Sequence, residues 1–277
     1  MCFVNIGANG YGYVQCRTSK LHQTLIIAQM TIENTNDNTP NAPAITYSEC
    51  YVQPFFSFYN ADNMDIMKTF KDKEFDLAIV DPPYDFSIGD KTNFYIAQGK
   101  YNKKQETRPK GGFKIGGNYM DSIQKAPSFE YFEELQRISK NQIVFGGNYF
   151  THILRPTTNW IVWDKLNGEN YFGDFEMAWT SFGKANRMYK RIVHEKGRIH
   201  PTQKPIDLYQ WILQKYAKEN DKIIDTHLGS GSIAIAIDKA NTLDKKNLTF
   251  VGIELDPDYF RAAVERFKNH KRQCVLF

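Results

Sequence analysis

The chain has 277 residues, 42% of them hydrophobic and 24% charged, with a formal net charge of +4. That length allows one large domain, and the composition matches an ordinary soluble globular protein rather than a disordered one. No apolar run reaches the ~18 residues of a membrane span, Met1 to Gln29 lacks the pattern of a signal peptide, and the mild positive charge is compatible with a polyanionic partner.

The four cysteines, Cys2, Cys16, Cys50 and Cys274, form no CxxC pair, and no His/Cys cluster has zinc spacing. Reduced thiols in a cytoplasmic protein, and no metal site, are expected. The aromatic share of 14% is high, which suits a packed core and also stacking on bases.

In chain order, residues 1–44 read as a flexible tail. Thr31 to Pro43 is rich in Asn, Thr and Pro and has almost nothing to bury. A single domain is expected over 45–277. Strand-like runs follow at Phe55–Tyr59, Asp76–Asp81, Gln142–Phe145, Trp160–Trp163, Glu176–Trp179, Lys222–Asp225 and Phe250–Glu254. Several are continuous and rich in Val and Ile, as in strands buried on both faces. Helical stretches lie between them. Ser128–Lys140 begins with a Ser cap and spaces Phe129, Phe132, Leu135 and Ile138 along one face. Ile206–Lys218 follows a proline. Ser230–Ala240 is apolar and small, and Asp256–His270 opens with Asp-Pro. The alternation predicts an α/β fold: a seven-stranded, mostly parallel sheet with helices on both faces. Ligands of such sheets bind beyond the carboxyl ends of the strands.

Three segments fall at those ends. Asp81-Pro82-Pro83-Tyr84 follows the strand FDLAIV. The two prolines fix the backbone and remove two N–H donors, so the turn presents acceptors: the Asp81 carboxylate and the Pro82 carbonyl. An aromatic amino group needs such acceptors. Its lone pair is delocalised into the ring, and oxygens aimed at its hydrogens draw that pair back onto nitrogen and stabilise the positive charge of attack. Tyr84 adds a flat face for a base that has left the helix. As a bare tetrapeptide the segment is also a plain surface turn. The second segment, Asp225 to Ser232, joins the strand KIID to a helix through Leu228-Gly229-Ser230-Gly231, with glycines where a ligand would approach the backbone. Glu254 ends the next strand, where an acid grips ribose hydroxyls. Together they read as an adenosine site, without specifying which adenosine cofactor.

These motifs resemble the amino-group DNA methyltransferases, and their order resembles the circularly permuted beta class, because DPPY precedes the glycine loop. Further segments agree: Phe145 to Phe150, His200-Pro201-Thr202-Gln203-Lys204-Pro205, and Tyr59 to Asn63. The similarity spans residues 57–268. It implies a Rossmann-like methyltransferase sheet with S-adenosylmethionine as methyl donor and double-stranded DNA as substrate. Asp81, Pro82, Pro83 and Tyr84 are then catalytic. Asp62, His200, Thr202, Lys204, Asp225, Leu228, Gly229, Ser230, Gly231 and Glu254 bind the cofactor. The Asp that heads DPPY leans towards adenine N6, with cytosine N4 as the alternative and a non-catalytic DNA-binding module as an alternative of another class. One departure is His227, where the family usually has a Phe against the cofactor; no proton transfer is assigned to it.

Two basic stretches suit phosphates. Lys184, Arg187, Lys190, Arg191 and Arg198 lie in the place of the target-recognition region, a short insertion over 165–199; a solvated face is the plainer reading of such a run. The long connector 85–126 is expected to be a mobile lid. So short a recognition region implies a short site or help from a second subunit, in a homodimer. A cognate restriction endonuclease and a bacterial or phage-infected cell complete the expectation.

Overall fold

The computed structural model describes residues 2–6, 12–16, 47–84, 126–168, 173–192, 198–200 and 203–274. The expected lid lies outside them apart from Ala126, as does Thr202.

Within the stretch read as a tail, β1 (Cys2–Ile6) and β2 (Gly12–Cys16) pair as an antiparallel hairpin. The sequence reading did not anticipate it. The main sheet contains β3 (Glu49–Gln53), β4 (Phe56–Asn60), β5 (Phe75–Val80), β6 (Ser139–Phe145), β7 (Trp160–Asp164), β8 (Phe175–Thr180), β9 (Arg187–Lys190), β10 (Lys222–Asp225) and β11 (Thr249–Glu254). Their spatial order is β3-β4-β11-β10-β5-β6-β8-β7-β9. All seven strands read from the sequence are present, and β3 and β9 extend the sheet to nine. The central run from β4 to β6 is parallel throughout. The β6-β8 and β8-β7 pairings are antiparallel, as is β3 against β4.

Helices α1 (Asn63–Met67), α2 (Phe129–Ile138), α3 (Ile206–Tyr216), α4 (Ser232–Leu243) and α5 (Pro257–Cys274) cover both faces. The alternation of β5 shows how. Leu77 and Ile79 pack into one core with Leu208, Ile212, Ile233 and Phe267 from α3, α4 and α5. Ala78 and Val80 face the other way, into a second core with Ile66 and Met67 of α1 and Phe132 and Leu135 of α2. Burial of each large side chain stabilises the fold by about 1.5–3 kcal/mol. A strand apolar on both faces has to be central, and that centrality delivers Asp81 to the middle of the carboxyl edge.

One of two expected helix caps forms. Asp256 caps α5, its Oδ1 accepting from the Asp258 and Tyr259 amides at 2.8 and 3.0 Å, with Pro257 as the first helical residue. Ser128 precedes α2 with extended backbone but makes no side-chain cap bond. Among the described residues, no helix is long and apolar enough to cross a membrane.

Candidate active site

Strands β5 and β10 are parallel neighbours, with Ile224 beside Ala78. Their carboxyl ends therefore bring Asp81 and Asp225 to the same edge. The chain leaves β5 through Pro82 and Pro83, and Tyr84 folds back so that its hydroxyl donates to Asp81 Oδ1 at 2.6 Å. Burial, and then the negative charge of Asp81, push the Tyr84 phenol well above its ordinary range, so it is a neutral donor. Its ring stacks on Tyr149, with centroids 5.0 Å apart and planes 11° from parallel. Gly146 makes this possible. It has a left-handed φ of 65°, and a Cβ there would come within 2.1 Å of the Tyr84 ring.

Asp81 Oδ2 accepts from the buried ammonium of Lys204. Sequence reasoning put Lys204 on the cofactor; here it also contacts Glu176 Oε2 at 3.4 Å. Glu176 in turn pairs with Lys165 at 2.9 Å. Burial opposes the Lys204 charge, but Asp81 and Glu176 outweigh it and hold the ammonium above its usual range. Burial likewise opposes the Glu176 carboxylate, which the two lysines nevertheless hold below its usual range. Neither Glu176 nor Lys165 was picked out from the sequence, because nothing in local spacing joins β8 and the end of β7 to the segment before α3.

The glycine loop is shaped by its backbone. Gly229 and Gly231 have φ values of 52° and 67°. A Cβ on Gly229 would meet nothing nearer than the His227 carbonyl at 3.8 Å among the described residues, so the space above it is open. Glu254 lies across the loop. Its Oε2 accepts from Gly229 N at 2.8 Å and its Oε1 from Asp256 N at 3.0 Å. Leu228 is buried against Gly252 of β11. The Ser230 hydroxyl lies 3.0 Å from that of Ser232, and its carbonyl accepts from Arg266. Burial pushes Asp225 up to about 8, helped by the charges of Asp81 and Glu254 and opposed by its bond from the His227 amide. Burial also raises Glu254.

Asp62 reaches this edge because β4 pairs with β11, Asn60 beside Glu254. Its Oδ1 caps α1 by accepting from Met64 N at 2.8 Å. His200 packs edge-on to Tyr259, centroids 4.4 Å apart, and burial lowers it to about 4, so it is neutral at pH 7. His227 is a structural ring. Burial lowers it to about 3; its Nε2 lies 3.1 Å from the Asn63 amide and its Nδ1 3.0 Å from Thr226 Oγ1, which also meets the Tyr131 hydroxyl at 2.6 Å. Asn63 and Thr226 fall in segments picked out from the sequence but were given no role there, and Tyr131 was not picked out.

The structure thus gathers Asp81, Tyr84, Lys204, Asp225, Gly229 and Glu254 at one edge. Of the basic candidates, Lys184, Arg187, Lys190 and Arg191 do not join them. Arg187 and Lys190 lie on β9 at the far end of the sheet. Lys190 pairs loosely with Asp164 at 3.7 Å, and Arg191 with Asp207 at 3.0 Å. Lys184 folds over the rings of Phe182 and Tyr216. Arg198 is half-buried, and its charge reaches His200. No group of three or more potential metal ligands occurs among the described residues.

An open glycine loop with a facing acid, beside an acceptor turn on a central strand, is the arrangement of an α/β enzyme with room for a nucleotide-like cofactor. Residues 3–265 match the family model described as N6_N4_Mtase, DNA methylase, and the chain belongs to that family. S-adenosylmethionine is its cofactor. The Type II methyltransferase M2.DpnII of Streptococcus pneumoniae is 25% identical over 247 residues, covering 76% of this chain and 88% of that protein. M2.LlaDCHI of Lactococcus lactis subsp. cremoris is 25% identical over 245 residues, covering 75% and 87%. Among solved structures, the M1.HpyAVI-SAM complex aligns with a TM-score of 0.46 at 22% identity, covering 76% of this chain and 99% of that one. The PvuII cytosine-N4-specific DNA methyltransferase aligns at 0.49 and 10% identity, covering 79% and 90%.

Proposed function

We propose that this DNA methylase transfers the methyl group to adenine N6 in double-stranded DNA, with Asp81 as the acceptor that activates the amino group. The observation that carries this reading is the position of the Asp81 carboxylate. It ends the strand next to the one that leads into the glycine loop, within electrostatic reach of Asp225.

The cofactor fits the residues present. Gly229 leaves an open cradle, and each Glu254 oxygen keeps acceptor capacity beyond its one backbone bond. After burial, the charges of Asp81 and Glu254 help to raise the Asp225 carboxyl, a strain that a cationic ligand relieves. Glu254 would take the ribose hydroxyls. Asp225, Leu228 to Gly231, Asp62 and His200 would line the rest. When bound, S-adenosylmethionine supplies an electrophilic methyl on a sulfonium.

Tyr84 and Tyr149 offer a ready aromatic stack to a base flipped from the duplex. Each Asp81 oxygen already accepts one hydrogen bond, from Tyr84 or Lys204, and keeps room for another. Asp81 and the Pro82 carbonyl hold the amino hydrogens and localise the nitrogen lone pair. With S-adenosylmethionine bound, that pair would take the methyl as the sulfonium leaves as a neutral thioether, and the nitrogen would then lose its proton to water. Asp81 need not be a strong base, because the proton is acidic only once the nitrogen is methylated. The aspartate at the head of DPPY favours adenine by family resemblance. The Type II names of the relatives favour a restriction–modification setting, with a cognate endonuclease as partner. The short recognition segment fits a short site, read with or without a second copy of the chain.

The test is Asp81→Ala. Methyl transfer to a DNA duplex should fall by at least about a thousandfold, with S-adenosylmethionine affinity by calorimetry within a few fold of wild type. Retained turnover overturns the assignment. Nucleoside analysis of the product should give N6-methyladenine; N4-methylcytosine would overturn the choice of base.

A further inference from the structure

A chain of buried charge runs from the catalytic turn to the antiparallel side of the sheet. The Lys204 side chain, 3% exposed, bridges Asp81 Oδ2 and Glu176 Oε2. Glu176 Oε1 continues to Lys165, whose side chain is 8% exposed. The four charges alternate in sign and sum to zero. They come from four places in the chain: the end of β5, the segment before α3, β8, and the residue after β7. The Phe145 ring lies 4.5 Å from Lys204 Nζ.

We propose that Glu176 is a positioning residue for methyl transfer: through Lys204 it sets the charge and the orientation of the Asp81 carboxylate. The proposal rests on the reading of Asp81 given above. Positive charge develops on the amino nitrogen as it attacks. A lysine that belonged to Asp81 alone would oppose that charge at close range in a poorly solvated site. Glu176 shares the ammonium and so leaves Asp81 more negative towards the substrate. Without Glu176, Lys204 and Lys165 together face one carboxylate, and the network carries a net charge of +1. Geometry matters as well. Lys204 donates to Asp81 Oδ2 while Glu176 Oε2 stands 3.4 Å away on the ammonium as an ion-pair partner, and holding the ammonium between the two carboxylates sets where Asp81 Oδ2 points.

Lys204 is faced by Asp81 from β5, Glu176 from β8 and Asp225 from the end of β10, with His200 on its own segment. The phenols of Tyr84 and Tyr209 face the same carboxylates and stay neutral. Burial works against the ammonium, and only the two carboxylates overcome it. Removing Glu176 therefore moves the Lys204 titration down.

The experiment compares wild type, Glu176→Gln, Glu176→Asp, Asp81→Ala and the double variant E176Q/K165M. It measures kcat and KM on a DNA duplex across pH, and the Lys204 titration by NMR of side-chain-labelled lysine in the cofactor-free protein. For E176Q, kcat should fall about ten- to a hundredfold with KM within about threefold. A new alkaline dependence of kcat should appear together with a lower Lys204 midpoint, both set against the wild-type profile. E176D should recover most of the rate. Adding K165M should recover part of it, because the surplus charge is gone. If E176Q does not fold, the double variant, which leaves no unpaired buried charge, carries the test through its lowered midpoint. Wild-type kcat and titration in E176Q would refute the role. So would a lower rate with an unchanged pH profile and no recovery in E176D, which marks simple structural damage. Activity in D81A would bring down the reading of Asp81 itself, whereas an inactive D81A beside a wild-type E176Q would bring down only the role of Glu176.

Discussion

With Asp225 lining the cofactor site as proposed, cofactor affinity is predicted to depend on pH. The Asp225 carboxyl is buried and stands at about 8 in the cofactor-free chain, first through burial and then through the charges of Asp81 and Glu254. A cationic ligand beside it favours the ionised form. Below pH 8, binding must therefore expel a proton, and affinity should rise close to tenfold per unit. Between pH 6 and pH 8 that is about fiftyfold, or roughly 2.3 kcal/mol, because half the groups are already ionised at pH 8, and the rise levels off above it. The sign for stability is the reverse. The folded chain holds a proton that the unfolded chain loses above its ordinary aspartate range. The stability from this group is full below about pH 4 and is lost as pH rises towards 8. Calorimetric titration of S-adenosylmethionine in two buffers of different ionisation enthalpy would read both the affinity and the released proton. Asp225→Asn should flatten the dependence. Equal affinity at pH 6 and pH 8, with no proton exchanged, would refute the argument.

Two further predictions come from particular contacts. Gly146→Ala combines a left-handed φ with a Cβ in the Tyr84 ring, so a stability loss of about 2–3 kcal/mol is expected by thermal melting, with a larger loss of activity as Tyr84 is pushed off Tyr149. Arg187→Ala removes an exposed cation from β9; if this strand meets DNA phosphates, the slope of log affinity against log salt should fall by about 1 with kcat unchanged.

The sequence made the central strands legible because runs such as FDLAIV have only one stable placement, buried on both faces. The two edge strands were not legible for the opposite reason. In β9, Arg187, Met188 and Lys190 all face outward, so RMYK reads only as a basic stretch. The acceptor turn and the glycine loop were visible because proline restricts the backbone locally and glycine frees it. The Lys165–Glu176–Lys204 network was invisible, because its members meet only across the folded sheet. His227 was legible as a departure, but its neutral state depends on burial by Asn63, Tyr131 and Thr226, which no spacing encodes.

The pairing of β5 with β10 joins Leu77 to Ile223, and that of β4 with β11 joins Phe56 to Phe250. During synthesis Asp81 emerges early, yet its strand has no neighbour on that side until some 140 residues later. Closing so long a span before any contact rewards it makes assembly slow. Nascent chains stopped before β10 should therefore carry the acceptor turn without any capacity to modify DNA.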